Sequence, residues 1–389
     1  MSPGGQSERP RATVGIDYRP ALHNREGIGR VARELVRALG ELGDEAPRLA
    51  LFGGSLRPPR VGPDELGLPT GARLVAPRLP ARLTGPLLRL CGGADRVLGA
   101  DLVHLTQLRP LPARRAPTCQ MVFDVLYADG GHGWLDPQVA RQMEARLRAS
   151  LPRLERVQVT SGWVRDELVR RGWFDAERID LVPLGGDHVA RPLAGGGADA
   201  DAARLPTEPF LLTVSRLDPR KGHDLALRAF ERLVARGFDG RWIVAGPPGY
   251  RADELWSAIR ASPVAERVEW RRSVDEHELR ALYEGCLAFV FPSRAEGFGL
   301  PPIEAMWAGA PVVSSRATCL AEVVGTGADT FDPEAADGVD ELVDHLERVV
   351  SDASWRAALV ERGRAWRERY SWTACARASI ASWNAALAR

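Results

Sequence analysis

Apolar positions along this chain come in short unbroken runs of Val, Ile, Leu and Phe, separated by longer stretches where they recur every three or four residues. The first pattern suits a strand buried on both faces, and the second a helix that covers it. Their alternation predicts parallel βαβ units. In the first half the runs are TVGIDY (13–18), RLALFG (48–53), LVHL (102–105), QMVFDV (120–125) and RVQVTS (156–161). In the second they are PFLLTVS (209–215), DGRWIVAG (239–246), VEWRRS (268–273), LAFVFPS (287–293) and PVVSS (311–315). Between the halves, PLAGGGADADAARLPTEP (192–209) has little apolar surface to bury and reads as a linker. The expected fold class is α/β, with two Rossmann-like, doubly wound domains facing each other across a cleft. Their expected limits are 1–190 for the first domain, 191–208 for the linker and 209–365 for the second domain.

At 389 residues the chain exceeds what one hydrophobic core serves, in keeping with two domains. The 52 Lys and Arg almost cancel the 51 Asp and Glu, so no global basic field argues for nucleic acid. Five cysteines (Cys91, Cys119, Cys286, Cys319, Cys375), none in a C-x-x-C pair, read as a reducing compartment without a structural metal. The opening MSPGGQSERPRATVGIDYRP has no apolar signal core, and no apolar run approaches the ~18 residues of a membrane span. A soluble, cytoplasmic protein is expected. The segment 71–98 carries five arginines and a single acidic residue, Asp95, with leucines between. It reads either as a solvated face over helices or as a surface that rests on an anionic bilayer.

Four fragments carry candidate chemistry. REGIGRVARELVRAL contains G-x-G-x-x-A at Gly27, Gly29 and Ala32, but PALHNRE separates it from its strand, which argues against a dinucleotide fingerprint. What is left is a helix start whose free N–H groups can face an anion, or simply a turn into a helix. RLDPRKG places Arg216 and Lys221 at the carboxyl end of a strand, where two cations suit a diphosphate, unless the loop is only solvated. Lys221 is expected to be an exposed loop cation that costs the fold little to remove. Asp199 and Asp201 form a D-x-D, but within GGGADADAARLP no ordered strand end aims them at one ion, and no metal is expected. Finally, PSRAEGFGLPPIEAMWAGAPVV puts Glu296 in a loop and Glu304 in the first turns of a helix opened by Pro301 and Pro302 and closed by Gly309. The backbone of Gly297, Phe298, Gly299 and Leu300 can offer N–H groups to a phosphate. The two carboxylates can accept from hydroxyls on either side, a sugar and a ribose.

These fragments together carry a resemblance. EGFGLPPIE resembles the E-x-x-x-x-x-x-x-E signature of the retaining glycosyltransferases of family 4, which have the two-Rossmann GT-B architecture. EGIGRVARELVRAL resembles that family's acceptor-side glycine loop, IDLVPLGGD its interdomain strand and VSRLDPRKG its diphosphate loop. VDEHELRALYEGCLAFVFPS and CLAEVVG resemble the segments around the signature. ERYSWTACA resembles the start of its last helix, which implies that 366–389 crosses back to the first domain. The resemblance implies a nucleoside-diphosphate sugar as donor and a glycan, lipid-linked glycan or small molecule as acceptor, with no cofactor. It implies that Glu304 holds the ribose, Glu296 contacts the transferring sugar, and Arg216 and Lys221 neutralise the diphosphate. Retention would follow from attack on the face that the nucleotide leaves. Where many members have a His-Asp pair, this chain reads MVFDVLYADGGHGW. Asp124 keeps the acceptor-side carboxylate, while Phe123 replaces the histidine and implies a donor sugar without a C6 hydroxyl. His132 either reaches the cleft in its place or is ordinary surface, and His104 reads as a cleft histidine or a buried strand-end residue. A sugar-nucleotide epimerase, a phosphorylase and a non-catalytic sugar-nucleotide-binding protein share the architecture and stay open, with a Rossmann oxidoreductase more distant.

Overall fold

The computed structural model describes residues 11–25, 27–109, 111–193 and 205–388. Within them the strands form two all-parallel sheets. The first contains β1 (Thr13–Asp17), β2 (Arg48–Phe52), β3 (Arg73–Val75), β4 (Leu102–Leu105), β5 (Thr118–Val122), β6 (Arg156–Val159) and β7 (Ile179–Leu181), in the order β3-β2-β1-β4-β5-β6-β7. The second contains β8 (Phe210–Val214), β9 (Arg241–Ala245), β10 (Val268–Arg271), β11 (Ala288–Phe291), β12 (Val312–Ser315) and β13 (Asp329–Phe331), in the order β10-β9-β8-β11-β12-β13. Strand order reverses between β1 and β4 in one sheet and between β8 and β11 in the other. Loops leaving the carboxyl ends of those strands diverge and open a crevice there.

All ten strands read from apolar runs are present. Helices cover both faces of each sheet, so the inner strands are buried nearly throughout, which is why they appear as unbroken apolar runs. β3, β7 and β13 were not visible as runs, and β7 was indicated only through IDLVPLGGD. Each has three residues and lies at a sheet edge, too short and too mixed to leave a periodic signal. β5 ends at Val122, earlier than its apolar run, and this puts Phe123 and Asp124 beyond the strand, at the crevice. Asp199 and Asp201 lie outside the described residues.

The last helix, Trp372–Leu387, lies against the first sheet although it follows the second in sequence. Ser382 donates to Asp180 at 2.6 Å, and the Gln158 amide donates to the Ser379 carbonyl at 3.4 Å. Buried Trp383 donates its indole N–H to Nδ1 of His104 at 3.3 Å. An indole nitrogen only donates, so Nδ1 must accept and the ring proton sits on Nε2. Burial drives the His104 pKa down to about 3, so this strand histidine is a neutral core residue.

Candidate active site

Between β8 and the helix His223–Ala235 the chain makes one tight turn, Pro219–Lys221, closed by Gly222 in the left-handed region. That turn delivers two cations to the loop after β11. Lys221 Nζ and Ser293 Oγ, the latter at 2.7 Å, donate to one oxygen of Glu296. Arg220 Nη1 donates to the other oxygen at 2.8 Å and to the Ala295 carbonyl at 2.6 Å. Lys221 is therefore not the exposed loop cation expected from RLDPRKG: its side chain is only 12% exposed, because it spans from the turn to a buried carboxylate. Burial alone would raise the Glu296 pKa, but Arg220, Lys221 and the hydrogen bonds from Lys221 and Ser293 outweigh it and hold the carboxyl at about 2. Burial and the neighbouring Arg220 charge pull the Lys221 pKa down.

Glu304 lies in the helix Leu300–Ala308, which follows Gly299 at a left-handed φ of 85°. It too is buried, with both oxygens engaged. His188 Nε2 is 3.0 Å from Oε1 and the Tyr283 hydroxyl donates to Oε2 at 3.0 Å, with Arg30 Nη1 4.0 Å from Oε1. Trp372 donates to Nδ1 of His188 at 3.0 Å, which leaves the ring proton on Nε2, directed at Glu304. Burial again raises the carboxyl, and His188, Arg30 and Tyr283 overcome it to hold Glu304 at about 2. Arg30 comes from the helix Ile28–Glu41 of the first domain, so this cluster spans the crevice. Gly27 precedes that helix at φ 53°. A Cβ on Gly29 would lie 1.9 Å from the Asn24 carbonyl oxygen, so this close approach requires glycine. Arg33 secures the loop by donating to the carbonyls of Ala21, Asn24 and Arg25.

The two domains touch at Gly297, where a Cβ would meet the Phe123 carbonyl oxygen at 1.9 Å and the Asp124 Cβ at 2.6 Å. The Gly297 carbonyl accepts from Thr160 at 3.1 Å and from Ser161 at 2.6 Å. Asp124 accepts the Leu126 N–H at 3.1 Å, and burial, opposed by Arg220, raises its pKa. Phe123 is half-buried against the core, and buried Phe298 meets Tyr370 edge-on at 5.6 Å. Arg216 is exposed, with no partner for its guanidinium among the described residues. His132 is exposed in the left-handed turn Ala128–Gly133, its ring 5.3 Å from that of Trp134, and takes no part in these contacts. Among the described residues no three His, Cys, Asp or Glu side chains are grouped to hold a metal ion.

Residues 26–185 match the family described as Glycosyl transferase 4-like domain, and residues 199–366 match Glycosyl transferases group 1. Residues 199–366 thus belong to the glycosyl transferases group 1 family, and the two matches together span most of the chain. It is 31% identical over 243 residues to O-antigen chain mannosyltransferase B of Escherichia coli, a match covering 62% of this chain and 63% of that protein. The matches span less than two thirds of the length of these curated relatives. Sucrose-phosphate synthase from Thermosynechococcus elongatus superposes with a TM-score of 0.71 at 21% identity, covering 96% of this chain and 98% of that one. HepE of Anabaena, solved in complex with UDP-glucose, gives a TM-score of 0.71 at 17% identity and covers 95% of this chain and 98% of that one. The architecture is GT-B.

Arg220, Ser293, Arg30, His188, Tyr283, Thr160 and Ser161 join this site without having been expected there from the sequence. Arg220 was within reach, since it adjoins Lys221 in RLDPRKG. So was Ser293, three residues before Glu296 in the same fragment; the other five carry no local signal, because each meets the site through a contact between separate elements. Stability contributed by Glu296 is fully present above its ordinary pKa of 4.5 and is lost as pH falls from there toward about 2. Arg220→Met should move that acid limb up by about one pH unit or more. It should also cost about 3–5 kcal/mol at neutral pH, as expected when one partner of a buried ion pair is removed. Urea unfolding of wild type and variant between pH 3 and 8 checks both.

Proposed function

We propose that this chain is a retaining, metal-independent glycosyltransferase that moves a sugar from a nucleoside-diphosphate sugar to a glycan, lipid-linked or small-molecule acceptor. The observation that carries this reading is the cationic turn at the carboxyl end of β8, Arg220 and Lys221, set against Glu296 in the loop that leads to the helix Leu300–Ala308. As the bond between the anomeric carbon and the diphosphate breaks, charge gathers on the leaving phosphate. Lys221, Arg220 and the N–H groups of the helix start are already fixed to receive it, with Arg216 free at the rim to join them, so little reorganisation is needed at the moment of reaction. No metal is required for that neutralisation. Glu304 keeps lone pairs for a ribose hydroxyl beside the donors it already accepts from, and Glu296 contacts the transferring sugar. The acceptor oxygen attacks on the face the diphosphate leaves. A bond forms from that oxygen to the anomeric carbon, the carbon–phosphate oxygen bond breaks, and the acceptor proton passes to the leaving phosphate oxygen. Asp124, whose pKa is raised by burial against the opposing Arg220 charge, borders the acceptor side.

Product analysis with a panel of nucleotide sugars tests the reading. Release of nucleoside diphosphate is the expected outcome, an isomerised nucleotide sugar would identify an epimerase, and no product with retained binding would identify a binding protein.

Donor choice follows from Phe123, which sits beside Asp124 and offers no hydrogen bond where a hexose would place its C6 hydroxyl. A buried unpaired hydroxyl costs about 1–3 kcal/mol, so the pocket favours a sugar lacking it. The likeness to a mannosyltransferase favours a hexose instead. The comparison that decides is kcat/KM for a hexose donor and its 6-deoxy counterpart. Wild type should prefer the deoxy sugar by up to roughly a hundredfold, and Phe123→His should narrow the gap. A wild type that prefers the hexose removes Phe123 from the C6 position.

The acceptor side also presents a basic, apolar surface. Leu90 and Leu56 are 84% and 63% exposed and Leu83 is 44% exposed. In the same segments of the sequence, Arg57, Arg60, Arg78, Arg82 and Arg89 are exposed without a carboxylate partner among the described residues. Exposed cations interleaved with exposed apolar side chains suit an anionic bilayer carrying a lipid-linked acceptor. The protein should sediment with phosphatidylglycerol vesicles and not with phosphatidylcholine vesicles, and Leu83→Ser with Leu90→Ser should weaken that binding. Equal behaviour on both lipids would leave the face merely solvated.

A further inference from the structure

We infer that Thr318 is a positioning residue for Glu296, fixing the backbone of the sugar-contacting carboxylate through a single hydroxyl. The role rests on the glycosyl-transfer reading above. Two observations carry it. The first is the hydroxyl's geometry. Thr318 Oγ1 accepts the Glu296 N–H at 2.9 Å and donates to the Glu296 carbonyl at 2.9 Å, so its donor and an acceptor lone pair both serve the same residue, 22 positions away. The buried Cys319 thiol adds a contact to that carbonyl at 3.2 Å. Ser293, Lys221 and Arg220 hold the Glu296 carboxylate, whereas Thr318 holds the main chain from which it projects.

The second observation is the conformation of Thr318 itself, at φ 52° in the turn between β12 and the helix Leu320–Val324. A β-branched side chain is strained in that left-handed region, where glycine sits without cost. Glycine would relax the turn, leave the Glu296 N–H without its partner and leave the Glu296 carbonyl only the Cys319 thiol. A strained threonine aimed at one residue, the one carboxylate joined to both Arg220 and Lys221, is what a positioning role requires. A displacement of the order of 1 Å at a reacting centre can cost about a hundredfold in rate.

Three variants separate the hydroxyl from the conformation. Thr318→Ser keeps the hydroxyl, Thr318→Val keeps the shape without it, and Thr318→Gly removes both the hydroxyl and the strain. Hydrogen exchange at the Glu296 amide reads the clamp without any substrate. Protection should fall tenfold or more in the Val and Gly variants and persist in the Ser variant. With saturating donor, kcat should fall roughly ten- to a hundredfold in the Val and Gly variants, with donor KM within about threefold and Ser near wild type. Unchanged amide protection in Val and Gly would overturn the clamp. Lost protection with kcat within twofold of wild type would overturn the positioning role, as would a Gly variant that matches wild type in kcat. A wild type that releases no nucleoside diphosphate from any nucleotide sugar would overturn the glycosyl-transfer reading and with it the positioning of a sugar-contacting group, whereas the exchange result decides the clamp by itself.

Discussion

A carboxylate taken out of water must be met by cations and hydrogen-bond donors, and this protein buries Glu296 and Glu304 at the crevice between its sheets. Their demands are met in different ways. Glu296 takes its donors from its own domain, from the turn after β8 and from Ser293. Glu304 draws on Arg30 of the first domain, on His188 just before the linker and on Tyr283 of the second. One cluster therefore stabilises the second-domain side of the crevice by itself, whereas the other stabilises the two domains in contact. Strand ends, loop lengths and helix starts around the crevice are constrained to serve these two groups.

The last helix uses one arrangement twice. Trp383 donates to Nδ1 of His104 in the first sheet, and Trp372, eleven residues earlier on the same helix, donates to Nδ1 of His188 beside Glu304. In both cases an indole that can only donate sets the histidine tautomer. At His104 the result is a neutral core residue. At His188 the proton is directed toward a carboxylate that faces the ligand crevice. A C-terminal helix that docks on the first domain thereby reaches into the environment of a second-domain glutamate. Gly297 completes the contact from the other side, where only a residue without Cβ fits against Phe123 and Asp124.

Much of the fold was legible in the sequence. Inner strands of a covered parallel sheet must be apolar on both faces, so all nine of them appear as runs, together with the four-residue edge strand β10. The edge strands β3, β7 and β13 were missed because three residues with one open side carry no such demand. Site legibility followed the same logic. Glu296, Lys221 and the glycines around 297 lie in compact local fragments whose composition is odd for a plain loop. His188, Tyr283, Arg30 and Thr318 look ordinary where they stand and gain meaning only from what they touch.

The sequence by itself determined two doubly wound α/β domains, the loops that carry the chemistry, and the two glutamates flanking a glycine-rich turn. It did so because strand burial, helix starts and tight turns depend on neighbours within a few residues. Only the tertiary structure decided which cation reaches which carboxylate: Arg220 and Lys221 enter the buried cluster while Arg216 stays at the rim. A loop can direct a long cationic side chain toward solvent or toward the crevice with no change in local pattern. The choice is set by where a buried negative charge waits on another strand, and that is a property of packing that the order of residues does not display.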